Sequence, residues 1–274
     1  MKVKLTDRKL VSQYGAIISV LCGILSVVLI FVDVTEHETF CLLAYVMMLA
    51  IIYFILFRKA NRLETARIKV DRVSLEIKYG DLFKEEGLKV IGFNEYFDTI
   101  VDEKIISSKT LNGMFLQRQE ISCEEINGIV LNDAGLQQNR LDVNENRPYG
   151  NRQKFKLGST IKYKDYLIVA FSKFNERNDA YLTIEDYFGC MVTFWNEANH
   201  AYGGKNIAMP LMGAGITRIV NGNKLSPQDI LELMIMSLKY SNAVFAFGTK
   251  VTIVLPERLK KEINLFDIKD VVYD

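Results

Sequence analysis

Val11–Val32, VSQYGAIISVLCGILSVVLIFV, and Phe40–Phe57, FCLLAYVMMLAIIYFILF, are two apolar runs, and neither contains an Asp, Glu, Lys, Arg or His. At ~1.5 Å of rise per residue they reach roughly 33 Å and roughly 27 Å, against a bilayer core of about 30 Å. A cleaved signal peptide does not fit the first run. It is too long for a signal core, lacks a small-x-small cleavage site, and is followed at once by the second run. A buried core helix does not fit the second run, which is apolar all the way round. The pattern predicts a transmembrane helical hairpin over residues 1–60, followed by a soluble domain over residues 61–274.

Lys and Arg set the orientation. Lys2, Lys4, Arg8 and Lys9 precede the first run, and Arg58, Lys59 and Arg62 follow the second. The connecting loop Asp33–Thr39 has no Lys or Arg and carries Asp33, Glu36 and Glu38. The positive-inside rule then places both termini and the soluble domain in the cytoplasm. Within the first run Gly15, Ser19, Cys22, Gly23 and Ser26 fall on one helical stripe. Small residues let helices approach closely in lipid. The stripe fits either the second span of the same chain or a neighbouring chain in a homo-oligomer.

Composition narrows the chemistry. The net charge of +1 gives no case for nucleic acid. Roughly 210 residues follow the hairpin, enough for one sizeable core. Cys22 and Cys41 lie in the apolar runs, Cys123 and Cys190 lie beyond them, and no CxxC pair exists, so zinc is not expected. Of the two histidines, His37 is in the outer loop. Any Ser-His or Cys-His mechanism would run through His200, which reads as the polar end of a helix. No catalytic residue, metal ligand or cofactor is assigned.

The soluble part alternates strands and helices. Asn61–Arg67 reads as a short polar helix or linker. Val73, Leu75, Ile77 and Tyr79 alternate as in a half-buried strand that runs into Gly80-Asp81-Leu82-Phe83. Leu88–Phe93 is an apolar strand ending at Asn94. Ser122-Cys123-Glu124-Glu125 is a capping box. Asn132–Lys156 reads mostly as loop, and Thr160–Phe174 as a strand region. Thr183 and Asp186 open a helix with Ile184, Phe188, Met191, Val192 and Trp195 on one face. Asn206–Leu211 is a strand that breaks at Pro210. Ser226-Pro227-Gln228-Asp229 starts another helix. Val251–Leu255 is an apolar strand, and after Pro256 a final helix of Lys, Glu and Leu is expected. The fold class is α/β, with a mixed or largely parallel sheet between helices. Such sheets bind ligands at the carboxyl ends of their strands.

Three strand ends carry the candidate site. In PLMGAGITRI, Pro210–Ile219, glycines at 213 and 215 let backbone N–H groups converge on an anion such as a diphosphate, or form a simple tight turn. Asp81 can accept from an exocyclic amine such as that of adenine, or cap a helix. Asn94 can hold a sugar hydroxyl, or form an Asx turn.

GDLF at 80–83, VIGFNEYFD at 90–98 and PLMGAGI at 210–216 resemble a divergent macro domain, as does the Phe155–Ser159 segment before a strand. The usual macro pattern runs GDIT, then a strand entering an Asn-containing loop, then a proline-strand-glycine loop. With the hairpin, the whole chain resembles the membrane effector of type II Thoeris anti-phage defence. The resemblance implies an ADP-ribose derivative as ligand, histidine-ADP-ribose in this group, made by a partner TIR-domain enzyme. It also implies a bacterial inner-membrane location, homo-oligomerisation and disruption of membrane lipid, without catalysis. By position Asp81 would contact adenine. Asn94 would lie near the distal ribose, and Phe93 would also belong to the ligand-binding set. Gly213, Ala214, Gly215 and Ile216 would wrap the diphosphate. The chain departs from the pattern at Gly92-Phe93-Asn94-Glu95, where Asn-Ala-Ala-Asn is usual. Two other functions remain open at this point: a membrane-anchored ADP-ribosyl hydrolase using Asn94 and His200, and a scaffold tethering a protein partner.

Overall fold

The computed structural model describes residues 3–32, 37–215, 217–219, 225–268 and 272–273. The apolar runs form α1 (Arg8–Phe31) and α2 (Glu38–Asn61). Asp7 caps α1, its carboxylate accepting from the Lys9 and Leu10 N–H groups at 3.1 Å each. The helices touch through polar atoms: Tyr14 donates its hydroxyl to the Leu49 carbonyl at 3.0 Å, and Cys22 Sγ meets the Tyr45 hydroxyl at 3.2 Å. Phe31 is 83% exposed and Phe40 74%, so no protein core covers these apolar surfaces. Both helices are long and apolar enough to cross a membrane. Part of the expected outer loop, residues 33–36, lies outside the described residues.

The strands are β1 (Thr65–Val70), β2 (Val73–Tyr79), β3 (Leu88–Asn94), β4 (Arg140–Val143), β5 (Gln153–Phe155), β6 (Thr160–Tyr163), β7 (Tyr166–Phe174), β8 (Ala180–Leu182), β9 (Ile207–Pro210), β10 (Arg218–Ile219), β11 (Lys250–Leu255) and β12 (Val272–Tyr273). The further α-helices are α3 (Leu111–Leu116), α4 (Cys123–Asn132), α5 (Ala134–Gln137), α6 (Ile184–Ala201), α7 (Pro227–Lys239) and α8 (Leu265–Ile268). The main sheet runs β10-β8-β7-β3-β9-β11-β2-β1-β12, with β6 also paired to β7, while β4 and β5 form a separate ribbon. From β7 across to β2 the pairings are parallel; β1 is antiparallel to β2, and β6 and β8 are antiparallel to β7. The sheet is therefore mixed.

Period-two alternation splits the core between the two faces. Leu88, Val90, Leu167, Val169 and Phe171 pack toward α6 and α7. Ile91, Phe93, Ile168 and Ala170 pack toward α3, α4 and α5. The α6 and α7 caps match the sequence reading. Thr183 with Asp186, and Ser226 with Asp229, each close both halves of a capping box. Trp195 Nε1–H donates to Ser237 Oγ at 3.0 Å and ties α6 to α7. Gly158 has φ +87°, and an added Cβ would stand 2.5 Å from the Cys190 carbonyl oxygen, so this glycine lets α6 lie close on the sheet.

Several expectations are corrected. Asn61–Arg67 is neither a separate helix nor a plain linker, because α2 runs to Asn61 and β1 begins at Thr65. Asn132–Lys156 is about half irregular, and also contains the short α5 and the β4–β5 ribbon. At Ser122 only the hydroxyl half of the box is seen, accepting from the Glu125 N–H at 3.2 Å, while the Glu125 carboxylate accepts from Tyr163 at 2.8 Å. Of the face read from the sequence, Met191 and Trp195 are buried, while Ile184, Phe188 and Val192 are half-buried, and the buried side also takes in Tyr187, Cys190, Phe194 and Ala198. α6 packs on both the sheet and α7, so its apolar sector is wider than a single stripe. After Pro256 the expected helix of Lys, Glu and Leu is a 3-10 helix, Glu257–Lys261, and the short α8 follows it.

The hairpin joins the sheet at a defined edge. Thr65 pairs with Lys78, near the carboxyl end of β2. Val3, Leu10, Phe57, Ala60 and Phe266 form a small apolar cluster that seats the bases of α1 and α2 against α8.

Candidate functional site

Strand divergence creates the site. β3 pairs with β9 only through Leu88–Ile207 and Lys89–Ala208, after which β3 follows β7 and β9 follows β11. The carboxyl ends spread apart, and a cleft of about 900 Å³ opens over them. Gly80 and Asp81 after β2, Phe93 and Asn94 of β3, the loop after β9, Phe174 of β7, and Pro256–Arg258 after β11 line it. The Ile105–Met114 segment forms its outer wall. A topological opening of this kind is where parallel sheets place ligands.

The loop after β9 is a turn built around Gly213. The Ala214 N–H donates to the Leu211 carbonyl at 3.3 Å, and Gly213 has φ +87°. Those features match a turn that needs glycine at its third position. An added Cβ at 213 would lie 3.0 Å from Tyr187 Cε2 and 3.2 Å from Ile219 Cδ1. Tyr187 is fixed in place, donating its hydroxyl to the Met212 carbonyl at 3.0 Å. Burial drives the Tyr187 phenol well above its ordinary pKa, so it remains a donor. The Gly213 and Gly215 N–H groups have no backbone acceptor among the described residues. Ile216 lies outside the described residues.

The structure brings Asp81, Phe93 and Asn94 to this same cleft. Asp81 caps the 3-10 turn Leu82–Lys84, with Oδ1 accepting from the Phe83 N–H at 3.0 Å. It is exposed and lines the cleft. Phe93 lines the cleft, and its ring packs against Phe97 and Phe115. Asn94 is buried and forms an Asx turn. Its Oδ1 accepts from the Tyr96 and Asp98 N–H groups at 3.1 and 3.2 Å, and Nδ2 donates to Asp98 Oδ2 at 2.8 Å. One Nδ2–H remains for a ligand.

Asp98 anchors a buried network behind Asn94. Arg147 donates to both of its oxygens, at 3.1 and 2.6 Å, and the Asn151 N–H donates to Oδ1 at 2.7 Å. The Arg147 guanidinium lies 3.9 Å from the centroid of the Tyr96 ring. Nearby, burial pushes the Glu95 carboxyl up despite Lys154 at 3.9 Å. This network fixes the β3 end, and hence the cleft wall.

The site also contains residues that sequence reasoning missed. Arg258 donates from Nη2 to the Ala214 carbonyl at 2.8 Å, which holds a cation against the glycine loop. Lys109, Ser172 and Phe174 line the cleft as well. Arg258 follows the β11 carboxyl end, so the strand-end rule that selected Asp81 and Asn94 is the signal that could have found it. His200 lies in the last turn of α6, which leads to the amino end of β9 and thus to the edge of the sheet away from the cleft. No group of three or more His, Cys, Asp or Glu able to hold a metal ion occurs among the described residues.

The family model described as "Thoeris protein ThsA, Macro domain" matches residues 75–256. The Thoeris protein ThsA of Bacillus amyloliquefaciens (strain Y2) is 33% identical over 264 residues, covering 92% of this chain and 87% of that relative. Among solved structures, the Oceanobacillus iheyensis macrodomain with ADP is 13% identical with a TM-score of 0.44, covering 75% of this chain and 94% of that one. The same macrodomain with MES bound is 14% identical with a TM-score of 0.42, covering 71% and 90%.

Proposed function

The chain belongs to the Thoeris ThsA macro-domain family, and from that membership we propose that it is a ligand-gated membrane effector of anti-phage defence. Its ligand is an ADP-ribose derivative, histidine-ADP-ribose, made by a partner TIR-domain enzyme. The observation that carries this reading is the loop Leu211–Gly215. It combines a glycine at φ +87°, two N–H groups with no backbone acceptor among the described residues, and Arg258 at 2.8 Å from Ala214, all at the strand ends of a cleft of about 900 Å³. Backbone N–H groups without an acceptor, beside a guanidinium, suit a diphosphate.

In this reading the Gly213, Ala214, Gly215 and Ile216 segment wraps the diphosphate. The free oxygen of Asp81 accepts from the adenine amine. Phe93 and the remaining Asn94 N–H face the distal ribose. The cleft binds without turnover, and binding drives assembly of a homo-oligomer whose hairpins disrupt the bacterial inner membrane. Both termini and the macro domain are cytoplasmic.

The stripe on α1 supports assembly between chains. Gly15, Ser19, Gly23 and Ser26 are exposed, and a Cβ added at Gly15 or Gly23 meets nothing within 4 Å. Of the stripe, Cys22 meets Tyr45 of α2, and Tyr14 beside it bonds the Leu49 carbonyl, so one edge of the stripe faces the same chain while the two glycines stay uncovered. Close-packing small residues that face outward have room for a helix of another chain.

The test is a titration of the full chain in liposomes with ADP-ribose, cyclic ADP-ribose isomers and histidine-ADP-ribose, following bound ligand, oligomer size and dye leakage together. Histidine-ADP-ribose is expected to bind, enlarge the oligomer and release dye. Binding with neither assembly nor leakage would reduce the protein to a nucleotide-binding scaffold, and steady consumption of the ligand would make it a hydrolase.

A further inference from the structure

We propose that the turn Glu257–Lys261 is a strut that carries ligand occupancy from the cleft to the base of the membrane hairpin, with Arg258 as its sensing end and Lys260 as its latch. The inference rests on the diphosphate reading of the cleft and adds the route from it to the membrane helices.

The strut touches both sites at once. Arg258 lines the cleft and donates from Nη2 to the Ala214 carbonyl, while its Nε and Nη1 donors have no partner among the described residues. Two residues on, Lys260 Nζ lies 2.9 Å from Glu64 and 2.9 Å from Glu257. Glu64 stands in the short connection between the end of α2 at Asn61 and the start of β1 at Thr65. Residues of a 3-10 helix are ~120° apart around its axis, so positions two apart project from different sides of the same turn. Arg258 reaches the glycine loop, while Lys260, on the side of the turn that it shares with Glu257, reaches Glu64.

The two ends of the turn are joined through a buried residue. Leu259, between the two cations, is 1% exposed and roots the turn in the core. Lys260 also sits 5.5 Å from the centroid of the Tyr79 ring, and Tyr79 directly precedes Gly80 and Asp81 of the cleft. Beyond the turn the chain continues straight to the membrane helices. Asn264 Nδ2 donates to Asp7 Oδ2 at 3.4 Å, and Lys9 Nζ donates to the Phe266 carbonyl at 2.8 Å.

The chemistry gives the direction. Arg258 is held at rest by a neutral carbonyl. An anionic diphosphate on the glycine loop offers a charge-assisted, bidentate alternative, which is roughly twice as strong per bond. The guanidinium turns to the ligand, the turn follows, and Lys260 leaves Glu64. The base of α2 then loses one tie to the macro domain, and its remaining seat, the Val3–Leu10–Phe57–Ala60–Phe266 cluster, repacks more readily against a neighbouring chain. The ligand shifts this balance only by its preference for the released state.

The test uses the full chain in liposomes with histidine-ADP-ribose as probe, measuring bound ligand and oligomer size in the same samples. Glu64→Gln and Lys260→Gln are each expected to lower the probe concentration for half-maximal assembly by about two- to fivefold, as loss of a weak exposed pair would. The double variant should shift no further than Lys260→Gln alone, because both changes remove the same contact. Arg258→Gln should weaken probe binding by about tenfold or more. If the unaltered chain binds and assembles but neither latch variant moves the midpoint, the strut is wrong and the ligand reading stands. If the unaltered chain binds no probe, both fall.

Discussion

Replacing Gly213 by alanine puts the site's central geometry to a quantitative test. A residue with a Cβ held at φ +87° is strained by about 1–2 kcal/mol. The new Cβ would also stand 3.0 Å from Tyr187 Cε2 and 3.2 Å from Ile219 Cδ1. Tyr187 cannot swing aside without losing its bond to the Met212 carbonyl at 3.0 Å. Overpacking of this kind adds about 1 kcal/mol, so the native loop is disfavoured by about 2–3 kcal/mol in total. If the loop holds its shape, the domain melts lower by about 4–12 °C, at about 2–4 °C per kcal/mol. If it relaxes instead, the Gly213 and Gly215 N–H groups leave their native positions. Losing even one hydrogen bond to a charged group then weakens ligand binding by about tenfold or more.

Gly215→Ala is the matched control. Gly215 has no positive φ, and a Cβ there meets nothing within 4 Å. Its effect on melting should be small, with binding changed less than about threefold, since the loop offers backbone N–H groups there rather than side chains. Isothermal titration with histidine-ADP-ribose on the full chain in lipid nanodiscs, together with calorimetric melting, reads both variants. Unchanged binding and melting in Gly213→Ala, or a larger loss in Gly215→Ala, refutes the turn as the anion cradle.

Three further outcomes follow from other parts of the molecule. Arg147→Met leaves the Asp98 carboxylate buried without its cation, since the two side chains are only 4% and 1% exposed, and should cost about 3–5 kcal/mol in urea unfolding; a loss under about 1 kcal/mol would show that water reaches Asp98. Asp267 has its carboxyl pKa raised, first by burial and then by the Asp7 carboxylate beside it, with Asn264 and Lys9 opposing. A raised folded pKa means that the contribution to stability is full below the ordinary Asp pKa of about 3.9 and is lost as pH rises through the higher folded value. Amide exchange across α8 should therefore speed up as pH climbs from about 4 toward neutrality, after correction for intrinsic exchange, and Asp267→Asn should remove that trend; an unchanged trend in the variant would assign it elsewhere. Gly23→Leu fills a surface where a Cβ meets nothing in the same chain, so it should leave the α1–α2 contact intact and block ligand-driven assembly; normal assembly of the variant in cross-linking would show that the stripe is not an interface between chains.

Where local chemistry decides an element, the sequence is readable. Ser226-Pro227 and Thr183–Asp186 announce the starts of α7 and α6 because a cap is satisfied within four residues. Gly80-Asp81, Asn94 and the Gly213–Gly215 loop all follow strands whose apolar alternation is plain, and the strand-end rule brings them to one cleft. What stayed hidden depends on contacts far apart in the chain. The β4–β5 ribbon is missed because all four β4 residues are exposed, which leaves no apolar pattern to read. β1 is obscured by the basic residues that continue from α2 into Arg67 and Lys69. The α6 face was only partly legible because a helix between a sheet and a second helix buries a broad sector, and periodicity alone does not fix its centre. Arg258 reaches Ala214 across 44 positions, and only the fold places that cation on the glycine loop. Asn94 shows the opposite case: the Asx turn anticipated from its residue type is what the structure contains, and it leaves a single side-chain N–H without a partner among the described residues.

The central claim is that occupancy of the cleft drives assembly and opens the membrane. The most direct measurement is dye release from liposomes carrying the full chain, recorded with oligomer size as histidine-ADP-ribose is added. The account predicts that leakage and assembly rise together over the concentration range in which the ligand binds, and that Gly213→Ala shifts both to higher concentration by about tenfold or more. Saturating ligand with intact liposomes and an unchanged oligomer would contradict it.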